Sequence, residues 1–166
     1  MVGFMTATRI RAPRPQDAEA LAELHLETWA ETYCGVFPDS AWGQEARRGR
    51  IRMWSSICSA PRPGDCFAVA ERDGRLIGLA GAGASQDSPA PREKQLFFIY
   101  VLASEHGTGA GQELADAVLS QGPASLWVLG TSSRAMAFYS RNGFVPDGTR
   151  RPCAYEGAGD EIRMVR

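Results

Sequence analysis

A chain of 166 residues that is 44% hydrophobic and 22% charged can bury a globular core without disulfide or metal staples. Its 18 basic and 19 acidic side chains leave a net charge of -1 and a pI near 6.1, which argues against nucleic acid or an anionic membrane as partner. No apolar run nears the ~20 residues of a membrane span, MVGFMTATRIRAP lacks the apolar segment of a signal peptide, and Cys34, Cys58, Cys66 and Cys153 form no CxxC pair and have no His cluster beside them. One domain over residues 1–166, cytoplasmic, with free thiols and no metal, is the expectation.

In chain order, Thr6–Ala12 alternates and stops at Pro13, a short strand. Pro15-Gln16-Asp17 opens a helix to about Tyr33, with Ala18, Leu21, Ala22, His25, Leu26, Trp29 and Tyr33 on one face and Glu23, Glu27 and Glu31 opposite. A second helix is expected from Asp39 to Cys58, ended by Pro61-Arg62-Pro63-Gly64. Asp73-Gly74 is a hairpin signal between strands Cys66–Glu71 and Arg75–Ala84. A polar loop, Ser85–Glu93, leads to strand Lys94–Leu102. After a glycine-rich turn come a helix to Ser120, a strand Ser125–Leu129, and a helix that Thr131 or Ser132 can cap. That helix ends at Asn142-Gly143; a strand starts at Phe144–Val145 and another spans Glu161–Val165. The order β-α-α-β-β-β-α-β-α-β-β implies an α/β (α+β) fold with a mixed, mostly antiparallel sheet.

The segment IYVLASEHGTGAGQELADAVL, Ile99 to Leu119, is the most informative. Gly107, Gly109 and Gly111 precede an amphipathic helix whose apolar face is Ala110, Leu114, Ala117 and Val118. Bare backbone N–H groups at the positive end of a helix dipole make a seat for phosphate. The spacing is GxGxG rather than the GxGxxG of a dinucleotide fold, with no ribose-binding acid about 20 residues on. A P-loop needs a lysine inside the turn, and the lone lysine, Lys94, lies well before it.

His106 to Gly111 resembles the Q/R-x-x-G-x-G/A signature of the GCN5-related N-acetyltransferase (GNAT) superfamily. Leu126-Trp127-Val128, Ser132 to Tyr139 and Gly143-Phe144 resemble that family's L-x-V…N-x-x-A-x-x-F-Y-x-x-x-G-F segment, in its order and spacing. The resemblance implies a GNAT-like sheet of about six to seven strands with about four helices. It also implies direct acetyl transfer from acetyl-CoA to a primary amine, and the near-neutral chain, with no obvious acidic cleft, favours a small molecule as acceptor. A protein N-terminus or lysine, and a non-catalytic acyl-CoA-binding module, are the alternatives. Dimers are common in the family, so a homodimer is among the expected assemblies.

Residue by residue, the resemblance gives Tyr139 the role of proton donor to the CoA sulfur. The cofactor falls to Tyr100, Val101 and Leu102 through the pantetheine, to His106, Gly107, Thr108, Gly109, Ala110, Gly111 and Gln112 through the pyrophosphate, and to Ser132. Trp29 and Tyr33, with Phe37 beside them, fall on the acceptor side. Backbone N–H groups near Val101 are candidate oxyanion donors. The chain departs from the pattern at His106 (usually Gln or Arg), Ala103 (often Pro) and Ser132 (Asn). The positions where members carry a catalytic carboxylate hold Gln95 and Trp127. Glu27, Glu31, Glu93, His25 and water are left as candidate bases, with His25 otherwise a core histidine.

Overall fold

A computed structural model describes residues 7–166. Seven strands form one sheet in the order β1-β2-β3-β4-β5-β7-β6. The first strand, β1, is Arg9–Arg11, shorter than expected, and Thr6 lies outside the described residues. A 3-10 turn at Pro15–Asp17 leads into α1, Ala18–Tyr33. The expected second helix is split: a 3-10 turn at Asp39–Ala41, extended backbone at Gly43, then α2 from Gln44 to Ser59. Gly43 is the physical reason, since it takes the N-cap position with φ -66° and ψ 175° and so starts the helix afresh.

β2 (Cys66–Arg72) and β3 (Arg75–Ala84) form the expected hairpin. Its two turn residues, Asp73 and Gly74, both have positive φ, 50° and 75°, the requirement of a type I′ turn. β4 (Lys94–Val101) pairs antiparallel with β3. The pairing skips Phe97 between Leu96 and Phe98, so that one extra residue bulges and bends β4. A 3-10 turn, Ala103–Glu105, and α3, Ala110–Val118, follow, then β5 (Ser125–Leu129), α4 (Ser133–Arg141), β6 (Val145–Pro152) and β7 (Asp160–Val165).

Strand alternation sorts the two faces. Phe98 and Tyr100 of β4 pack against His25 of α1, and Phe98 also against Trp54 of α2. Ile99 and Val101 turn to the other face, where α3 and α4 lie. Gly78 of β3 is what lets α3 approach: a Cβ there would meet Leu114 Cδ1 at 2.9 Å. Leu21, Leu79, Leu114 and Trp54 have no exposed surface, and each such leucine contributes about 1.5–3 kcal/mol by leaving water. No helix among the described residues is long and apolar enough to cross a membrane.

Candidate active site

The sheet opens where it runs parallel. β4 and β5 pair only at Gln95 with Ser125 and Leu96 with Leu126, and beyond that they part. The bulge at Phe97 lies immediately after the last pair, so the bent strand turns away from β5 and a wedge-shaped cleft opens between them. On the α3–α4 face Leu96, Ile99, Ala115, Phe138 and Tyr139 line a small cavity with Leu119, Phe144 and Arg166.

The glycine turn stands at the end of β4. Gly107 and Gly109 have φ of 82° and 95°, and Gly109 is the N-cap of α3 with no side chain capping it. The first helical bond is Glu113 N–H to Gly109 C=O at 3.0 Å. The N–H groups of Ala110, Gly111 and Gln112 therefore have no helical acceptor and face outward at the positive helix end. Thr108 braces the turn through its hydroxyl, which donates to Glu105 C=O at 2.8 Å. A Cβ at Gly107 would meet nothing within 4 Å, so the space above the turn is open. This concave row of donors fits a pyrophosphate, the group that a coenzyme A ligand would place there.

The residues expected to border that ligand divide. Val101 C=O accepts from His106 Nε2 at 3.0 Å on the side away from β3. N–H and C=O of one strand residue share an edge, so the Val101 N–H faces the cleft too. Leu102 is turned the other way: it is buried and its N–H donates to Ile77 C=O at 3.0 Å. Tyr100 pairs with Leu79 of β3, and its ring reaches Trp29. Arg134 at the start of α4 donates to His106 Nδ1, so His106 ties the end of β4 to α4. Gln112 ties α3 to α4 through Asn142 Oδ1 at 2.8 Å. Ser132 sits at the N-cap of α4, but its hydroxyl makes no capping bond.

Tyr139 lies between Phe138 and Phe144 at 9% exposure. Among the described residues its hydroxyl has no hydrogen-bond partner, and Tyr139 lines a small cavity between α3 and α4. Burial first, and then the neighbouring Tyr33, hold its pKa well above the ordinary phenol range. It stays protonated, an acid rather than a base.

Across the cleft mouth the aromatic side chains of four segments converge. Tyr33 of α1 stacks on Phe37 of the following loop at 4.4 Å between ring centres, and Trp29 meets Phe37 at a tilt at 5.5 Å. Tyr155, between β6 and β7, stacks on Phe37 at 4.2 Å, and Leu129 at the end of β5 packs into the same cluster. Tyr100 meets Trp29 from β4, and its phenol feels both Tyr33 and Tyr139 electrostatically. Tyr155 and Arg50, which enters from α2, were not singled out in the sequence. The one signal for Arg50 was its spacing, four residues before Trp54 on the inward stripe of α2.

The candidate bases are held elsewhere. Trp54 Nε1 donates to His25 Nδ1 at 3.3 Å, so the neutral ring carries its proton on Nε2, and that atom is buried without a partner. Burial, helped by Arg50, pushes the His25 pKa down to about 3. Glu31 is exposed and accepts the Ala103 N–H at 2.8 Å just past β4. Glu93 is exposed, and Glu27 faces Arg75 at 3.4 Å. The Trp127 ring stands where a carboxylate was sought; it donates to Asp87 Oδ1 at 3.0 Å, and Asp87 pairs with Arg163.

His25 has a consequence for stability. Its folded pKa of about 3 lies below the free value of 6.5, so between these values the unfolded chain binds more protons and stability falls with falling pH. In urea unfolding, wild type should lose about 2–3 kcal/mol more than His25→Gln between pH 7.5 and pH 4.5. Equal losses would mean that His25 is not held neutral.

The chain matches the sequence profile of the Acetyltransferase (GNAT) family over residues 18–144. It is 26% identical to the Mycobacterium tuberculosis protein named Probable N-acetyltransferase Rv2775, over 84% of this chain and 81% of that one. Among solved structures it resembles the PaiA N-acetyltransferase of Thermoplasma acidophilum in complex with coenzyme A, with a TM-score of 0.67, 22% identity, and coverage of 96% and 98% of the two chains. PH1933 of Pyrococcus horikoshii gives a TM-score of 0.70 at 21% identity, with the same coverage. The profile match spans the split sheet, the glycine turn and α4 together, and the chain belongs to the GNAT family of acetyltransferases, with acetyl-CoA as acetyl donor.

Proposed function

We propose that this protein acetylates the primary amine of a small molecule, in the cytoplasm, by direct transfer with donor and acceptor in one cleft. The observation that carries this reading is the uncapped glycine arc at the end of a strand that parts from its parallel neighbour. The N–H groups of residues 107–112 hold the pyrophosphate, aided by the dipole of α3. The Val101 C=O, which also accepts from His106, borders the pantetheine arm, and Thr108 and Ser132 flank it. Acetyl-CoA, when bound, supplies the acetyl group as an activated thioester.

The chain's own part is electrostatics and proton placement. The Val101 N–H faces the cleft and stabilises negative charge building on the acyl oxygen. Tyr139 Oη delivers its proton to the departing sulfur. The attacking amine loses its proton to water, because His25 is neutral and enclosed and Glu31 is engaged at Ala103. Trp29 and Tyr33 wall the acceptor, and their closure with Phe37 and Tyr155 favours a small molecule over a folded protein surface.

Two measurements test this together. Acetyl-CoA should raise the melting temperature, and thiol release from acetyl-CoA should be stimulated by some member of a panel of small primary amines. Absence of a thermal shift would overturn the donor site. A shift without turnover on any amine would overturn catalysis and leave a binding module.

A further inference from the structure

Arg50 is a buried cation without an anion. It is 9% exposed, and its guanidinium carbon lies 4.6 Å over the Trp29 ring. One nitrogen makes two long bonds, to Ala41 C=O at 3.5 Å and Ala46 C=O at 3.4 Å, while Nε has no partner. No carboxylate pairs with it among the described residues, and Met1–Thr6 contain no acidic side chain. Arg11 is paired with Asp17 and Glu71 and Arg72 with Glu105, and the half-buried Arg92 and Arg166 each donate to backbone carbonyls at 2.6–3.2 Å, so that Arg50 differs in having only two long bonds. A guanidinium removed from water without a counter-ion is costly, so an arginine kept this way needs another reason.

Its neighbours have the same deficit. Trp29 Nε1 is buried and lies close to the Tyr100 phenol without hydrogen-bond geometry. His25, whose ring centre is 5.3 Å from that of Trp29, has its buried Nε2 unpartnered, and with Nδ1 accepting from Trp54 this atom is also a donor. Three orphaned atoms therefore gather around Trp29, and all three are N–H donors. What satisfies a donor cluster centred on a guanidinium is a pair of acceptor oxygens with negative charge. Tyr33, Phe37 and Tyr155 supply an apolar enclosure around it.

Resting on the amine-acetylation reading above, we propose that the acceptor is an amine that also carries a carboxylate, an amino acid with an apolar or aromatic side chain, and that Arg50 binds this carboxylate. The amine is then presented toward Tyr100 and Tyr139, and the side chain packs against the aromatic cluster. A polyamine is disfavoured, because its second positive charge would meet Arg50.

The test compares acceptors that differ by the carboxylate alone: L-phenylalanine against phenethylamine, and L-methionine against 3-(methylthio)propylamine, with spermidine and a dipeptide amide as further acceptors. The carboxylated members should be preferred by on the order of 100-fold in kcat/KM. Arg50→Met should abolish the preference through acceptor KM, with the acetyl-CoA thermal shift unchanged, and Arg50→Lys should retain part of it. A second readout needs no turnover: calorimetric binding of N-acetyl-L-phenylalanine to the CoA-loaded protein, lost in Arg50→Met. Equal use of both members of a pair, an equal loss on both in Arg50→Met, or spermidine or the peptide as the better acceptor would overturn the proposal. If amines are not turned over but N-acetyl-L-phenylalanine binds through Arg50, the carboxylate site stands and the catalytic reading falls. If amines are turned over without regard to the carboxylate, the reverse holds.

Discussion

Tyr139→Phe should lower kcat for acetyl transfer by about 100-fold or more, the usual worth of a positioned general acid, with little change in acetyl-CoA affinity. The ring is packed between Phe138 and Phe144, and the variant keeps that packing. The hydroxyl has no partner among the described residues, so its removal leaves no buried group unsatisfied and the fold should be unaffected. What the variant should lose is the proton for the sulfur. The loss should therefore shrink when the donor is an acetyl thioester of an acidic aryl thiol, whose thiolate leaves without protonation. A deficit of the same size with both donors would place Tyr139 in packing rather than proton transfer. The pH profile gives a second check. Burial holds the phenol pKa above its ordinary value, so this acid stays fully protonated up to about pH 10 and the rate should show no fall from it below that point. Between neutral pH and that limit the rate should rise with the neutral fraction of the acceptor amine.

Much of this site was legible because it depends on local backbone chemistry. Positive φ at Gly107 and Gly109, the hairpin at Asp73-Gly74 and the ending of α4 at Gly143 are each demands that a single residue type meets. The tyrosine on α4 followed from its place in a motif. What was not legible depends on pairing between distant segments. The bulge at Phe97 is a mismatch between β3 and β4, and nothing in KQLFFIYV marks which residue is the extra one. The parting of β4 from β5 follows from that bend and is equally invisible in either strand.

Charge burial was the other blind spot. α2 carries Arg47, Arg48, Arg50 and Arg52, and composition does not distinguish the one that turns inward. Only the i, i+4 relation to Trp54 does so, and a rule that counts arginine as a solvated face discards it. Tyr155 lies in an irregular stretch between β6 and β7, where no periodicity exists to read. Trp127 teaches a related point. The carboxylate sought at that position arrives instead from the β3–β4 loop as Asp87, already neutralised by Arg163 and bonded to the indole. A role can move between segments that only the fold brings together.

The glycine turn admits a sharper test than the loss of a side chain. Gly109→Val should weaken acetyl-CoA binding by on the order of 100-fold or more, because two competing conformations are forced on one residue. At φ 95° a β-branched residue is strained, and the cost of keeping that conformation is about 1–2 kcal/mol or more. Relief comes from rotating the backbone at residue 109 into the extended region. That rotation swings the peptide N–H groups on either side of it out of the arc and frays the first turn of α3, whose opening bond is Glu113 N–H to Gly109 C=O. Each N–H lost to a phosphate oxygen is a charge-assisted bond worth about 1.5–3 kcal/mol, so two of them suffice for the expected drop. Strain on the fold alone would lower the melting temperature by only a few degrees, about 2–4 °C per kcal/mol for a chain of this size. The distinction between a damaged fold and a damaged phosphate seat is made with a truncated donor. Acetyl-pantetheine lacks the pyrophosphate and should engage the Val101 edge and Tyr139 without the turn. Its kcat/KM should be nearly the same in wild type and Gly109→Val, whereas that of acetyl-CoA should fall. Parallel losses with both donors would show that the turn shapes the whole cleft and does not act as a seat for phosphate.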